Sequence, residues 1–254
     1  MDKSYENLEK TYELIGKCIP ERNIDCLEVV RQVETYRQSW KPKKTSVILL
    51  AESHVYTERQ ELDAKCSAQV VNGFIPNYPL HYVRFVYCLG YGENQLLNAP
   101  IKNNGGTPQY WKIFSSCVAE NEHDLAFRRV LKTGTTSLVL RLRNKVDVLR
   151  KMKERGIWLL DASIVGLYGS GKKNQTITER IIEICWQNHI ANMILESIPK
   201  HAIVIGEGVG NILNSKLQKL KIPFTVIPQP QARGTSEWQL ENYKKYQRIC
   251  AKYT

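Results

Sequence analysis

Val47-Ile48-Leu49-Leu50-Ala51 is an apolar run of strand type that stops abruptly at Glu52-Ser53-His54. A short unbroken apolar run is the mark of a strand buried in a sheet core. Three similar runs follow: Ile157-Trp158-Leu159-Leu160 ending in Asp161, Ala202-Ile203-Val204-Ile205 ending in Gly206, and Phe224-Thr225-Val226-Ile227 ending in Pro228. Helical stretches separate them. Strands alternating with helices predict one α/β domain with a four-stranded, mainly parallel sheet flanked by helices. In such open sheets ligands bind just beyond the carboxyl ends of the strands. Glu52, His54 and Asp161 would then stand at the mouth of the crevice.

The rest of the chain fits around these strands. Residues 4–17 and 24–38 read as helices, with Asn23 a possible cap and Cys26, Val29, Val30, Val33 and Tyr36 on one face of the second. Residues 1–40 therefore read as a helical lead-in packed on the sheet, and 41–254 as the α/β domain. Tyr82-Val83-Arg84-Phe85-Val86-Tyr87-Cys88-Leu89 is rich in aromatic and β-branched residues and reads as a further strand. Thr107-Pro108 opens a helix over 108–120. Residues 123–132 and 144–155 read as helical, with Gly156 as a stop. Helices are also expected at 176–197, after Gly206, and at the C-terminus around Trp238, Tyr243, Tyr246 and Ile249.

Composition narrows the class. No apolar run approaches the length of about 18 residues that a membrane span needs, and the first residues lack the apolar core of a signal peptide. Seven scattered cysteines include no zinc-type spacing, so a reduced, cytoplasmic protein with neither metal nor cofactor is expected. The formal charge of +11 favours a polyanionic partner, and nucleic acid first.

Two glycine motifs are weak. Residues 166–173 fit GxxxxGK, but Lys173 occupies the place where a P-loop needs Ser or Thr for magnesium. Gly206-Glu207-Gly208-Val209-Gly210 has its third glycine one residue early for a dinucleotide turn. The polar strand ends carry more. Glu52 can serve as a general base on water or stabilise positive charge on a reacting sugar, or it can be a cap or salt-bridge partner. His54 can bind phosphate, assist catalysis or cap its loop. Asp161 can accept hydrogen bonds from a ligand amino group, or cap the turn after it.

Taken together, these strand ends resemble the uracil-DNA glycosylase superfamily over roughly residues 46–233. Leu50-Ala51-Glu52-Ser53-His54 resembles its first motif, with Glu52 in the water-positioning loop. Leu159-Leu160-Asp161-Ala162-Ser163 resembles the strand that ends in a base-reading asparagine. Val204 to Gly210 is similar to the strand and glycine turn before the penultimate helix, and Ile227-Pro228-Gln229-Pro230 resembles the final His-Pro-Ser-Pro loop. Ile227 stands where the family has histidine, so Gln229, Arg233 or His54 would have to take over its role. Asp161 replaces the family's asparagine. An ionised aspartate only accepts, which suits the exocyclic amino group of cytosine better than uracil.

The resemblance implies a DNA glycosylase that hydrolyses the N-glycosidic bond of a flipped-out pyrimidine, a modified cytosine or uracil, and leaves an abasic site. Related bacterial members attack phages whose cytosines carry hydroxymethyl or glucosylated groups, which implies a role in antiviral defence. Glu52 and His54 would be catalytic. Asp161, Val55 and Tyr78 (or Phe74 in its place) would bind the base. Lys172, Lys173, Gln229, Gln231 and Arg233 would grip DNA, expected to be double-stranded. No membrane and no obligatory protein partner are expected. Residues 60–156 exceed what the family core needs and read as an insertion. The alternatives are a non-catalytic DNA-binding module of the same fold, a P-loop-like nucleotide enzyme, and a hydrolase of free nucleosides.

Overall fold

The computed structural model describes residues 3–19, 24–167, 174–230 and 234–254. Four parallel strands, β1 (Val47–Ala51), β2 (Ile157–Asp161), β3 (His201–Ile205) and β4 (Phe224–Ile227), form one sheet in the order β2-β1-β3-β4. β1 is central and pairs with both β2 and β3. Side chains alternate along a strand, so β1 serves two cores at once. Val47, Leu49 and Ala51 enter one core, and Ile48 and Leu50 the other.

Helices cover both faces. On the first face lie α3 (Ala68–Asn72), α4 (Pro108–Val118), α5 (Leu138–Glu154) and the C-terminal α9 (Ser236–Tyr253). On the second lie α1 (Lys3–Cys18), α6 (Gln175–Cys185), α7 (Ala191–Ser197) and α8 (Glu207–Lys219). α2 (Leu27–Ser39) contributes Val29, Val33 and Tyr36 to the first core and Val30 to the second. It also binds β2, where Trp158 Nε1 donates to the Arg37 carbonyl at 3.1 Å. Residues 60–156 include α3, α4 and α5 and make the connection from β1 to β2. Among the described residues no helix is long and apolar enough to cross a membrane.

Three local expectations are corrected. Residues 82–89 form no strand. They fold as successive tight turns, with Phe85 N bonding Val83 O and Cys88 N bonding Phe85 O. Their aromatics are there for packing: Phe85 meets Tyr87 edge-on at 5.1 Å, and the Tyr87 hydroxyl accepts from Leu159 N at 3.2 Å. That bond satisfies an outward N–H of the edge strand β2, which would otherwise be open to pairing. Residues 123–132 hold two short 3₁₀ turns in place of a helix. The helix expected over 176–197 contains a π-helical turn at Trp186–Ile190. Asn23 lies outside the described residues; Cys26 precedes the first turn of α2.

The long β1–β2 connection is pinned by one buried carboxylate. Glu93 accepts from Arg141 Nε at 2.8 Å and Nη2 at 2.7 Å, and from Lys145 Nζ at 2.8 Å. Burial opposes its ionisation, but these cations outweigh it and hold the carboxyl below its usual range. A carboxyl depressed in the folded state stabilises above its unfolded pKa of about 4.3, and the contribution is lost as pH falls through the folded value. Glu93→Gln is expected to cost about 3–5 kcal/mol at neutral pH by leaving two buried cations uncompensated. It is also expected to flatten the loss of thermal stability on acidification below about pH 4. Melting curves from pH 7 to about pH 3 check both effects.

Candidate functional site

The carboxyl ends of β1 and β2 lie side by side, with Ala51 in register with Asp161. The ladder continues past the strands: Ala162 N donates to Ala51 O at 2.7 Å, and Ser163 N to Glu52 O at 3.0 Å. This fixes the backbones of Glu52 and Asp161 as neighbours. Both side chains line a cavity of about 340 Å³, together with His54, Val55, Arg84, Phe85, Val86, Tyr110, Leu159 and Gln229. Polar and apolar side chains thus line it together, the usual composition of a small-ligand site.

Asp161 is held from behind. Arg37 Nη2 donates to its Oδ2 at 2.7 Å, while Arg37 Nη1 bonds Glu34. All three groups are buried. Burial lowers the Arg37 pKa, but the Glu34 and Asp161 carboxylates outweigh it and hold it above its usual value. Burial likewise raises the Glu34 carboxyl, and Arg37 overrides that to keep it below the carboxylate range. The planar Arg37 guanidinium on Oδ2 fixes the orientation of the Asp161 side chain. Arg37 also lies 5.2 Å from the centre of the Phe85 ring.

His54 is held from the opposite side. Its Nε2 is 3.1 Å from Asp25 Oδ2, and the Asp25 carboxylate also accepts from Thr57 N at 2.7 Å and from Gly166 N. Asp25 and the His54 side chain are fully buried. An ionised aspartate cannot donate, so Nε2 carries the proton of this bond. Nδ1 then faces Asp161, 3.9 Å from Oδ2, without a hydrogen-bond partner among the described residues. Phe85 meets the imidazole edge-on at 6.3 Å. Asp25→Asn places an amide against the N–H groups of His54 and Gly166. It is expected to move the His54 proton to Nδ1, visible in the side-chain ¹⁵N shifts. Any activity that uses Nδ1 is expected to fall on the order of 100-fold.

The other walls are similarly braced. Arg84 Nε and Nη2 bond Glu61 at 2.8 and 2.6 Å, and Arg84 O accepts from Val55 N at 3.2 Å. Hydrogen bonding to Glu61 raises the Arg84 pKa above its usual value. Gly206, at φ +106, starts α8, and a Cβ there would lie 2.8 Å from Gln229 Cγ. The glycine turn after β3 thus lets the loop after β4 close down beside the cavity.

Of the residues singled out from the sequence, Glu52, His54, Val55, Asp161 and Gln229 share this cavity. Tyr78 does not, and its assignment to base binding is corrected. It is buried among Tyr36, Trp40 and Tyr87; its hydroxyl accepts from Trp40 Nε1 and donates to Tyr87 O, both at 2.6 Å. Phe74 is also outside the cavity, half-buried against the first core. Lys172, Lys173, Gln231 and Arg233 lie outside the described residues, as does most of the 166–173 motif.

Asp25, Arg37 and Arg84 are additions that the sequence did not single out. Asp25 falls in the first turn of the helix expected over 24–38 and Arg37 near its end, and nothing in either position marks a buried charge. A second groove of about 720 Å³ between α4 and α5 is larger, with Glu120, Arg129, Asp147 and Lys151 of both signs along it. It contains none of the strand-end residues. Among the described residues no group of three or more His, Cys, Asp or Glu is placed to hold a metal ion. Compared with known protein families, curated proteins and solved structures, the chain matches none significantly.

Proposed function

We propose that this chain is a DNA glycosylase of the uracil-DNA glycosylase type. It would take a flipped-out pyrimidine carrying an exocyclic amino group, a modified cytosine, and hydrolyse its N-glycosidic bond. The observation that carries this reading is the convergence of Glu52 and Asp161, from adjacent strand ends, on one cavity of about 340 Å³, with Asp161 held from behind by Arg37. That volume is at the lower end of the roughly 300–1,000 Å³ typical of small-ligand sites, a scale suited to one nucleotide. The +11 charge agrees with a nucleic-acid substrate.

The chemistry follows from the placement. The Asp161 carboxylate accepts from the base amino group. The Glu52 carboxylate stabilises the oxocarbenium-like sugar as the C1′–N1 bond breaks, its electrons leaving with the base. Glu52 then takes a proton from the attacking water as the new C1′–O bond forms. The proton that Glu52 takes from the water is the one the departing base gains, and unprotonated His54 Nδ1 would accept it from Glu52 and pass it on.

The test is to incubate the protein with duplexes containing hydroxymethylcytosine, its glucosylated form or uracil, and then reveal abasic sites with alkali. Cleavage of a cytosine-type substrate is expected. Asp161→Asn should lower it by on the order of 100-fold, since a site built around one hydrogen-bond pattern rejects its complement strongly. Full activity of that variant on the cytosine substrate, or cleavage of uracil alone by the wild type, would overturn this base assignment.

A further inference from the structure

One part of the surface is not used by the cavity. From residue 125 to residue 146 the chain has six cations and no carboxylate. Arg141 and Lys145 are spent on Glu93, and Lys132 approaches the same carboxylate at 4.0 Å. Arg128, Arg129 and Arg143 are exposed and form no ion pair among the described residues. Between them, in the first turn of α5, Val139 and Leu140 are 51% and 46% exposed.

This segment is tied together by hydrogen bonds. Thr135 Oγ1 donates to Arg128 O at 3.1 Å, Asn144 Nδ2 to Arg129 O at 2.9 Å, and Arg141 Nη1 to Thr136 O at 3.1 Å. Its location follows from topology. The carboxyl end of α5 leads through Gly156, whose carbonyl accepts from Ser46 N at 2.7 Å, at the amino edge of the sheet. Leu142, Val146, Leu149 and Met152 pack in the first core with Leu49 and Leu159. The helix therefore rises toward the carboxyl edge. Its 17 residues span roughly 24 Å against roughly 13 Å for a five-residue strand. Its first turn thus lies toward the carboxyl edge, the side on which Glu52 and Asp161 stand, while Arg129 lines the groove between α4 and α5. Lys145 Nζ lies 5.0 Å from the ring centre of Trp111, the neighbour of the cavity residue Tyr110.

We propose that residues 128–143 form a second DNA-contacting wall, a deepening that rests on the glycosylase reading. Arg128, Arg129 and Arg143 seat on phosphates, and Val139 and Leu140 press into the base stack beside the extruded nucleotide. Exposed arginines complement a polyanion, and aliphatic side chains are the usual wedges between unstacked bases.

The experiment measures anisotropy of a short labelled duplex against salt, with 2-aminopurine next to the target base. The variants are Arg128→Ser/Arg129→Ser/Arg143→Ser and Val139→Ser/Leu140→Ser, all at exposed positions, with circular dichroism to confirm folding. The triple variant is expected to reduce the slope of log K against log salt by roughly 2.7, about 0.9 for each phosphate that is no longer neutralised. The double variant is expected to keep the wild-type slope but lose the rise in 2-aminopurine fluorescence. Variants that bind and unstack DNA like the wild type would overturn this wall alone and leave the glycosylase reading standing. A wild-type protein that binds no DNA would overturn both. Binding to anionic vesicles and not to DNA, lost in Val139→Ser/Leu140→Ser, would overturn the DNA assignment in favour of a membrane surface.

Discussion

Glu52→Gln is expected to leave DNA binding within about twofold of wild type and to slow base release by 10²–10⁴-fold, the span ordinarily lost with a general base. The substitution keeps the shape of the side chain and removes its charge. Glu52 is 5% exposed and borders a cavity lined in part by Val55, Phe85, Val86 and Leu159. In such surroundings a negative charge acts on a developing cation far more strongly than it does in water. The ground state has no such cation, so the loss falls on the transition state. Single-turnover rates at saturating enzyme, with anisotropy for binding, separate the two effects. Equal losses in binding and rate would instead make Glu52 a structural or contact residue.

Arg37→Met is expected to be the most destabilising substitution near the site, at about 3–5 kcal/mol. Arg37 is 3% exposed and links Glu34 on its own helix to Asp161 at the end of β2. Removing it leaves two buried carboxylates with no cation between them. For a chain of this size the loss corresponds to a fall in melting temperature of roughly 10 °C. Arg37→Lys does not restore it, because an ammonium cannot span two carboxylates as the planar guanidinium does. The double variant Glu34→Gln/Arg37→Met is expected to recover part of the loss, giving a coupling energy of about 0.5–3 kcal/mol in a double-mutant cycle. Additive effects in that cycle would mean that Glu34 and Arg37 contribute independently.

Much of the frame can be read from the sequence because it is written in short-range terms. All four strands of the sheet are apolar runs that end at a polar or turn residue, and they occur where those runs predict. Gly156, at φ +74, closes α5 as its position after a basic last turn implies. The carboxylates at the ends of β1 and β2 meet because parallel strands in register bring their ends together. What the sequence hides depends on partners far along the chain. Residues 82–89 have the composition of a strand, but that composition reports burial beside a pleated surface and not pairing itself. Tyr78 looks like a loop aromatic near a basic surface, yet Trp40 and Tyr87 claim its hydroxyl inside the core. Asp25 and Arg37 act on residues 29 and 124 positions away, and no periodicity marks a buried charge whose partner is that distant.

The most direct measurement is the mass of what the protein releases from a duplex holding one modified cytosine. A base-hydrolysing cavity at the strand ends predicts the free modified base together with a full-length strand that has lost that base and gained a hydroxyl. Glu52→Gln, bound to the same DNA, should release neither product at a comparable rate. Release of a nucleotide or a shortened strand before alkali, or an unchanged duplex despite saturating binding by the wild type, would contradict the account.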